Sequence, residues 1–333
     1  MMSVALTTPT IDDIRAAAER LAGYTVITPL LESPALNAVA GGRVLLKAEV
    51  LQHTGSFKLR GALNRLLLIP ESERARGVVA YSSGNHAQAV AYGSTLLGIP
   101  STIVMPSDAP ALKIERTRAF GAEVVLYNRY TEDRVAIGSE LAAKTGATVV
   151  PPFEDPHVVA GQGTLGLEVL NQARALGVVP DRIYVNCGGG GLAAGCALAS
   201  EALSPETVVH TCEPAEFDDM ARSLELGRRV SNEPGHSSIC DAIVTNEPGE
   251  FTFSINQPRL GKGLRVSDDE VLAAIAFAVR ELKLVIEPGG AASLAALLSG
   301  KLDSRGVCTV VVASGGNIDP LVLARAMGIT ATT

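Results

Sequence analysis

One lysine in this chain stands where a lysine is chemically conspicuous. In Thr54-Gly55-Ser56-Phe57-Lys58-Leu59-Arg60-Gly61-Ala62, the residues Leu59, Ala62, Leu63, Leu66 and Leu67 recur at the spacing of an amphipathic helix. Ser56 is the expected N-cap, which puts Lys58 in the first helical turn. A cation there opposes the helix dipole, lowering the amine's pKa and favouring a neutral, nucleophilic nitrogen. The plainer alternative is a lysine on a solvated surface.

Three Gly/Ser-rich turns each fall between an expected strand and an expected helix. That is where open α/β sheets bind ligands and where helix N-termini offer unpaired N–H groups to anions. The first, Ser82-Ser83-Gly84-Asn85-His86, brings two hydroxyls and an amide to a nest suited to a carboxylate, or else caps its helix with Ser or Asn. The second runs Cys187-Gly188-Gly189-Gly190-Gly191-Leu192-Ala193-Ala194-Gly195. Four successive glycines cost backbone entropy, which makes sense if the main chain must approach a bulky anion such as phosphate. Gly188, Gly190 and Ala193 also satisfy G-x-G-x-x-A, and Glu213 follows where a ribose-binding acid would stand, so an NAD-dependent dehydrogenase stays open. The third, Ala313-Ser314-Gly315-Gly316-Asn317, offers a serine either to a ring nitrogen of a ligand or to the cap of a following helix.

The elements that must position these turns read as alternating strands and helices. Short β-branched runs at Gly77-Val78-Val79-Ala80-Tyr81, Ser101 to Met105, Glu123 to Tyr127 and Thr148 to Val150 are separated by helix-length segments such as Asn85 to Leu97 and Ala111 to Phe120. This punctuation predicts a parallel sheet covered on both faces. After Pro151-Pro152 it restarts with a helix from Gln162 to Leu176, strands at Arg182 to Cys187 and Thr207 to Cys212, helices at Asp268 to Leu284 and Ala291 to Ser299, and a late strand from Val307 to Ala313. Two α/β units sharing an interface follow, since no charged or Ser/Gly tether separates them.

Composition excludes several classes. The 333 residues are 47% hydrophobic and 19% charged, too apolar for a disordered chain. Lys plus Arg number 28 against 35 Asp plus Glu, a net charge of −7, and no basic run exceeds a pair, so nucleic acid and anionic membrane are poor partners. Five cysteines without a C-x-x-C pair fit neither a disulfide framework nor a zinc site. No basic segment precedes an apolar one at the N-terminus, and the uncharged stretch from Ile183 to Ser200 is broken by five glycines, so neither a signal peptide nor a membrane span is expected. The expected compartment is the cytoplasm.

Taken together, the segments resemble the fold-type II pyridoxal-phosphate enzymes, most closely the threonine and serine dehydratases, with serine racemase as a near relative. The resemblance runs from Thr28-Pro29-Leu30 to Asp319 and rests on Ser56 to Ala62, Ser82 to His86, Ala160-Gly161-Gln162-Gly163-Thr164, Gly188 to Gly191, Glu287-Pro288-Gly289-Gly290-Ala291 and Ser314 to Asn317. It implies an α/β fold of two domains, each an open, mostly parallel twisted sheet flanked by helices. Residues 1–66 and 151–333 would form a large cofactor-binding domain, and 67–150 a small domain for the substrate carboxylate. By the same resemblance Lys58 joins the aldehyde of pyridoxal 5'-phosphate, Phe57 packs on its ring, the Gly188, Gly189, Gly190 and Gly191 amides hold its phosphate, Asn85 its ring hydroxyl and Ser314 its pyridine nitrogen. Glu287 belongs to the same cofactor set. Ser82, Ser83, Gly84, Asn85 and His86 would grip the substrate carboxylate.

The implied reaction is loss of water from L-threonine or L-serine, giving a 2-oxo acid and ammonium. A neutral serine beside the pyridine nitrogen favours elimination over transamination. Racemisation and dehydration of a hydroxyaspartate remain alternatives on the same scaffold, as does a non-catalytic amino-acid binder. Ser83 resembles the racemases' second acid–base, whereas Phe153 stands where threonine dehydratases have phenylalanine and racemases asparagine, which ranks dehydration first. Glu213, Asp219 and the Phe217 carbonyl match the racemase branch's ligands for Mg²⁺ or Ca²⁺, or else form an acidic helix start. A homodimer is implied, and no C-terminal regulatory domain fits after Asp319.

Overall fold

The computed structural model describes residues 6–82, 84–109 and 111–329. Among them ten strands form two sheets. The chain lays down β1 (Leu30–Glu32) and β2 (Arg43–Ala48), then β3 (Val78–Tyr81), β4 (Ser101–Pro106), β5 (Glu123–Tyr127) and β6 (Thr148–Val149), and returns for β7 (Arg182–Asn186), β8 (Val208–Pro214), β9 (Gly263–Val266) and β10 (Cys308–Ala313). The six-stranded sheet has the order β1-β2-β10-β7-β8-β9 and the four-stranded sheet β5-β4-β3-β6. All pairs are parallel except β1 with β2. The fold is the α/β architecture that the alternating pattern predicts.

Parallel strands covered on both faces read as unbroken apolar runs, and Cys308-Thr309-Val310-Val311-Val312-Ala313 is one. Val311 and Ala313 enter one core with Val44, Leu46 and the helix Ala292–Leu298, while Val310 and Val312 enter another with Leu45, Ile183, Val185 and the helix Gly191–Leu203. The helix leaving β7 and the helix leading into β10 thus lie on opposite faces of neighbouring strands. Where adjacent connections diverge in this way, a crevice opens at the carboxyl ends of the strands. The glycine run follows β7, and Ser314 follows β10.

Several boundaries differ from the sequence reading. The helix expected from Gln162 begins at Pro156, with Asp155 capping the amides of His157 and Val158. A Pro at the first helical position after an Asp is a start signal that the periodicity alone passes over. The expected helix from Asp268 to Leu284 ends as an α-helix at Phe277 and continues as a π turn to Leu282. No helix among the described residues is long and apolar enough to cross a membrane.

Candidate active site

The crevice at β7 and β10 is the cleft that collects the residues singled out above. Phe57, Lys58, Ser82, Gly84, Asn85, His86, Gly188, Gly189, Gly190, Gly191, Glu287 and Ser314 all line it. Ser83 lies outside the described residues. The helix Lys58–Leu67 starts with Lys58 as its first residue, but its N-cap is Phe57, and no side chain caps it. Ser56 is instead drawn into an antiparallel bridge with Gly315, and the Phe57 amide donates to the Ser314 carbonyl at 3.0 Å. The lysine is therefore tied to the turn after β10 by main chain on its N-terminal side. Its Nζ donates to the Pro152 carbonyl at 3.0 Å, and burial pushes the amine down to about 8. An amine so placed loses its proton far more readily than a surface lysine.

The glycine run opens the helix Gly191–Leu203, whose N-cap, Gly190, has φ +93° and no side-chain cap. That angle lies in the left-handed region, where glycine alone is free of strain. The amides of Gly188, Gly189 and Gly191 meet no backbone acceptor among the described residues, and that of Gly190 faces the Cys187 sulfur. Open amides at a helix N-terminus fit an anion such as a phosphate. Neighbouring protein supplies a further reason for the glycines. A side chain at Gly189 would start 2.5 Å from Phe153 Cδ1, one at Gly191 2.9 Å from Phe153 Cβ, and one at Gly188 3.0 Å from the Ile243 carbonyl oxygen.

The Ser82–His86 turn opens a second uncapped helix, Asn85–Leu96, with Gly84 at the N-cap. The capping alternative is thereby corrected: Ser82 Oγ only accepts from Gly84 N at 3.3 Å, and Asn85 already belongs to the helix. The amides of Asn85 and His86 take no acceptor among the described residues, leaving them to an incoming carboxylate. His86 Nε2 lies 2.8 Å from the Val150 carbonyl, which can only accept, so this nitrogen carries the ring's proton. Burial, with a smaller push from Lys58, holds the imidazole neutral, its pKa down at about 3. What His86 offers a carboxylate is its backbone N–H, not its ring.

Ser314 does not cap a helix either, because the next one starts at Pro320 under an Asp319 cap. Its Oγ accepts from Asn186 Nδ2 at 2.9 Å, which leaves the hydroxyl proton for an acceptor in the cleft such as a pyridine nitrogen. Glu287 is buried at the cleft base; it accepts from Asn85 Nδ2, and Asn85 Oδ1 accepts from Asn317 Nδ2 at 2.7 Å. Burial raises the Glu287 carboxyl to about 7.

Glu213 and Asp219 lie apart from this cleft set. Glu213 accepts from the amides of Met220 and Ala221, both at 2.8 Å, and so caps the helix Asp219–Leu226. Asp219 accepts from Asn232 Nδ2 at 2.7 Å and Thr245 Oγ1 at 3.2 Å. Among the described residues no group of three or more His, Cys, Asp or Glu side chains converges on one point. The acidic helix start, one of the two readings above, is what these hydrogen bonds describe.

Among the lining residues that escape the sequence reading are Asn186, Tyr81, Lys113 and Arg134. Asn186 ends β7 in an apolar run, and a single polar residue at the carboxyl end of a buried strand is the signal that could have found it. Lys113 pairs with Asp241 across the cleft. Arg134 begins the helix Arg134–Thr145; its guanidinium carbon lies 6.0 Å from the Tyr81 ring centroid, and it forms no ion pair among the described residues.

Comparison with known proteins agrees with this geometry. The model of the pyridoxal-phosphate dependent enzyme family matches residues 22–315. An L-threo-3-hydroxyaspartate ammonia-lyase of Pseudomonas sp is 44% identical over 92% of this chain and 95% of its own. The solved threonine deaminase of T.th. is 44% identical with a TM-score of 0.88, covering 93% of this chain and 99% of that one. Maize serine racemase is 33% identical with a TM-score of 0.90, covering 97% and 98%. The nicotinamide reading of the glycine run is overturned by the family match.

Proposed function

The chain belongs to the family of pyridoxal-phosphate dependent enzymes, and on that premise we propose that it is an ammonia-lyase that removes water from a β-hydroxy amino acid and releases a 2-oxo acid and ammonium. The observation that carries this reading is the meeting of three things in one cleft: the buried Lys58 amine with its pKa lowered to about 8, the open amides of Gly188, Gly189 and Gly191, and the Ser314 hydroxyl with its proton unspent. An amine, an anion nest and a neutral donor are a donor set that fits pyridoxal phosphate. Lys58 would hold its aldehyde, the glycine amides its phosphate, Ser314 its ring nitrogen, Asn85 its hydroxyl and Phe57 one ring face. When bound, the cofactor supplies a conjugated ring that takes up electron density from the substrate's α-carbon.

The chain's own groups do the rest. The open amides of Asn85 and His86, with Ser82, orient the substrate carboxylate from the segment 67–150. The Lys58 amine, in its neutral form, would take the α-proton. Ser314 offers a hydroxyl rather than a carboxylate, which supports elimination over transamination. Phe153 covers the glycine turn and supports dehydration over racemisation, which would turn on Ser83.

L-Threonine and L-serine are the substrates the sequence suggests, and a specific observation favours 3-hydroxyaspartate. Arg134 stands at the cleft without an acidic partner among the described residues, as a receptor for a second carboxylate would. The Pseudomonas relative's name is consistent with this. A divalent cation at Glu213, Asp219 and the Phe217 carbonyl, all hard oxygen donors, belongs to the proposal as a structural ion away from Lys58. Five free thiols support a reducing, cytoplasmic setting, and a homodimer completes the reading. The test is a screen for 2-oxo acid release from L-threonine, L-serine and 3-hydroxyaspartate, with and without chelator. Release from none of them would contradict the proposal.

A further inference from the structure

Behind the lysine lies a group of buried charges that the chemistry above does not use. Arg60 follows Lys58 by two positions, about 200° around the helix, so it points away from the cleft while Lys58 points in. Its side chain is 1% exposed. Nε and one terminal nitrogen fork onto Glu49 at 2.8 and 2.9 Å; the two terminal nitrogens fork onto Glu168 at 2.6 and 2.8 Å. Lys47, fully buried, donates to Glu168 at 2.6 Å and to the Thr28 carbonyl at 2.7 Å. Lys47, Glu49, Arg60 and Glu168 thus form a quartet of zero net charge.

The same turn is pressed against the long helix Pro156–Ala175. A side chain at Gly61 would start 2.7 Å from the Val158 carbonyl oxygen, and one at Gly161 2.7 Å from the Arg60 carbonyl oxygen. Backbone meets backbone here, and Glu168 stands about two turns further along the same long helix. Buried ion groups contribute little net stability, since desolvation offsets their attraction and apolar replacements are often neutral or stabilising. Stability therefore does not account for burying four charges behind Lys58. Geometry does: two bidentate forks leave the first turn no freedom to roll or slide.

We infer that Arg60 is a positioning residue for Lys58, its two-carboxylate fork fixing the first turn of the lysine helix so that the amine is held at one place over the glycine turn. The inference rests on the reading of Lys58 as the cofactor-bearing lysine. Two variants of the cofactor-loaded protein test it. Arg60→Lys keeps the charge and loses the fork, and Arg60→Met with Glu168→Met removes one pair while keeping the remainder neutral. Three quantities are read on each: the thermal unfolding midpoint, the pH midpoint of the cofactor's visible absorbance band, and kcat with KM on the best substrate.

Both variants are expected to fold with unfolding midpoints near wild type. The visible band's pH midpoint should move by on the order of one pH unit, and kcat should fall on the order of tenfold or more with KM little changed, as misplacement of a reacting group produces. An unchanged band midpoint with wild-type kcat per folded molecule would overturn the inference. So would failure of both variants to fold, which would make Arg60 a folding residue. A wild-type protein with no such band would instead bring down the assignment of Lys58 itself.

Discussion

The ring of Phe153 occupies the space that a side chain at Gly189 would need: a Cβ built there falls 2.5 Å from Phe153 Cδ1. Gly191, at 2.9 Å from Phe153 Cβ, is constrained by the same residue. The glycine run is thus packed against an aromatic ring that lines the same cleft. Gly189→Ala should cost about 1–3 kcal/mol of stability, the usual range for overpacking a tight site, and weaken cofactor retention. Combining it with Phe153→Ala should recover part of both. Paired unfolding and cofactor-release measurements on the four proteins of this cycle check the coupling, and strictly additive effects would mean the two residues do not share the space.

Cofactor capture should depend on pH through Lys58. Only the neutral amine attacks an aldehyde, and burial lowers this amine's pKa to about 8. The rate at which cofactor-free protein develops its visible band should therefore rise with pH and reach half its plateau near pH 8. A midpoint near that of an ordinary lysine would show that the amine is not desolvated.

Substrate choice should turn on Arg134. Removing its charge with Arg134→Gln should raise KM for 3-hydroxyaspartate on the order of tenfold, the loss of one charge-assisted contact worth about 1.4 kcal/mol. KM for L-threonine, which has no second carboxylate, should change little. Equal effects on both substrates would place Arg134 outside the contact with the substrate side chain.

Glu287 should make stability fall with rising pH. Its folded pKa, about 7, lies above the ordinary carboxyl value of 4.5 because burial favours the neutral form. The folded protein then holds a proton that the unfolded chain gives up, so this contribution is complete below pH 4.5 and is lost as pH rises through 7. Glu287→Gln removes the linkage. Its unfolding midpoint relative to wild type should increase between about pH 5 and pH 8, by the equivalent of a few kcal/mol at most.

The alternation of strands and helices is legible in the sequence because buried parallel strands write themselves as runs such as Val310-Val311-Val312. The three turns are legible for a related reason: glycine clusters have few structural explanations. What stays hidden is set by partners far along the chain. Ser56 looks like an N-cap because local rules put one there, yet its backbone is claimed by Gly315, near the other end of the sequence. The fork of Arg60 joins Glu49 and Glu168, and Glu168 reads locally as one acidic residue on a helix. Phe153 against Gly189 is likewise a contact that spacing cannot express.

The account stands on Lys58 carrying the cofactor. Purified protein treated with borohydride, digested and mapped by mass spectrometry measures this directly. A pyridoxyl-phosphate label on the peptide containing Lys58, with the visible band bleached, is the predicted result. A label on any other lysine, or a bleached band with Lys58 unmodified, would contradict the account.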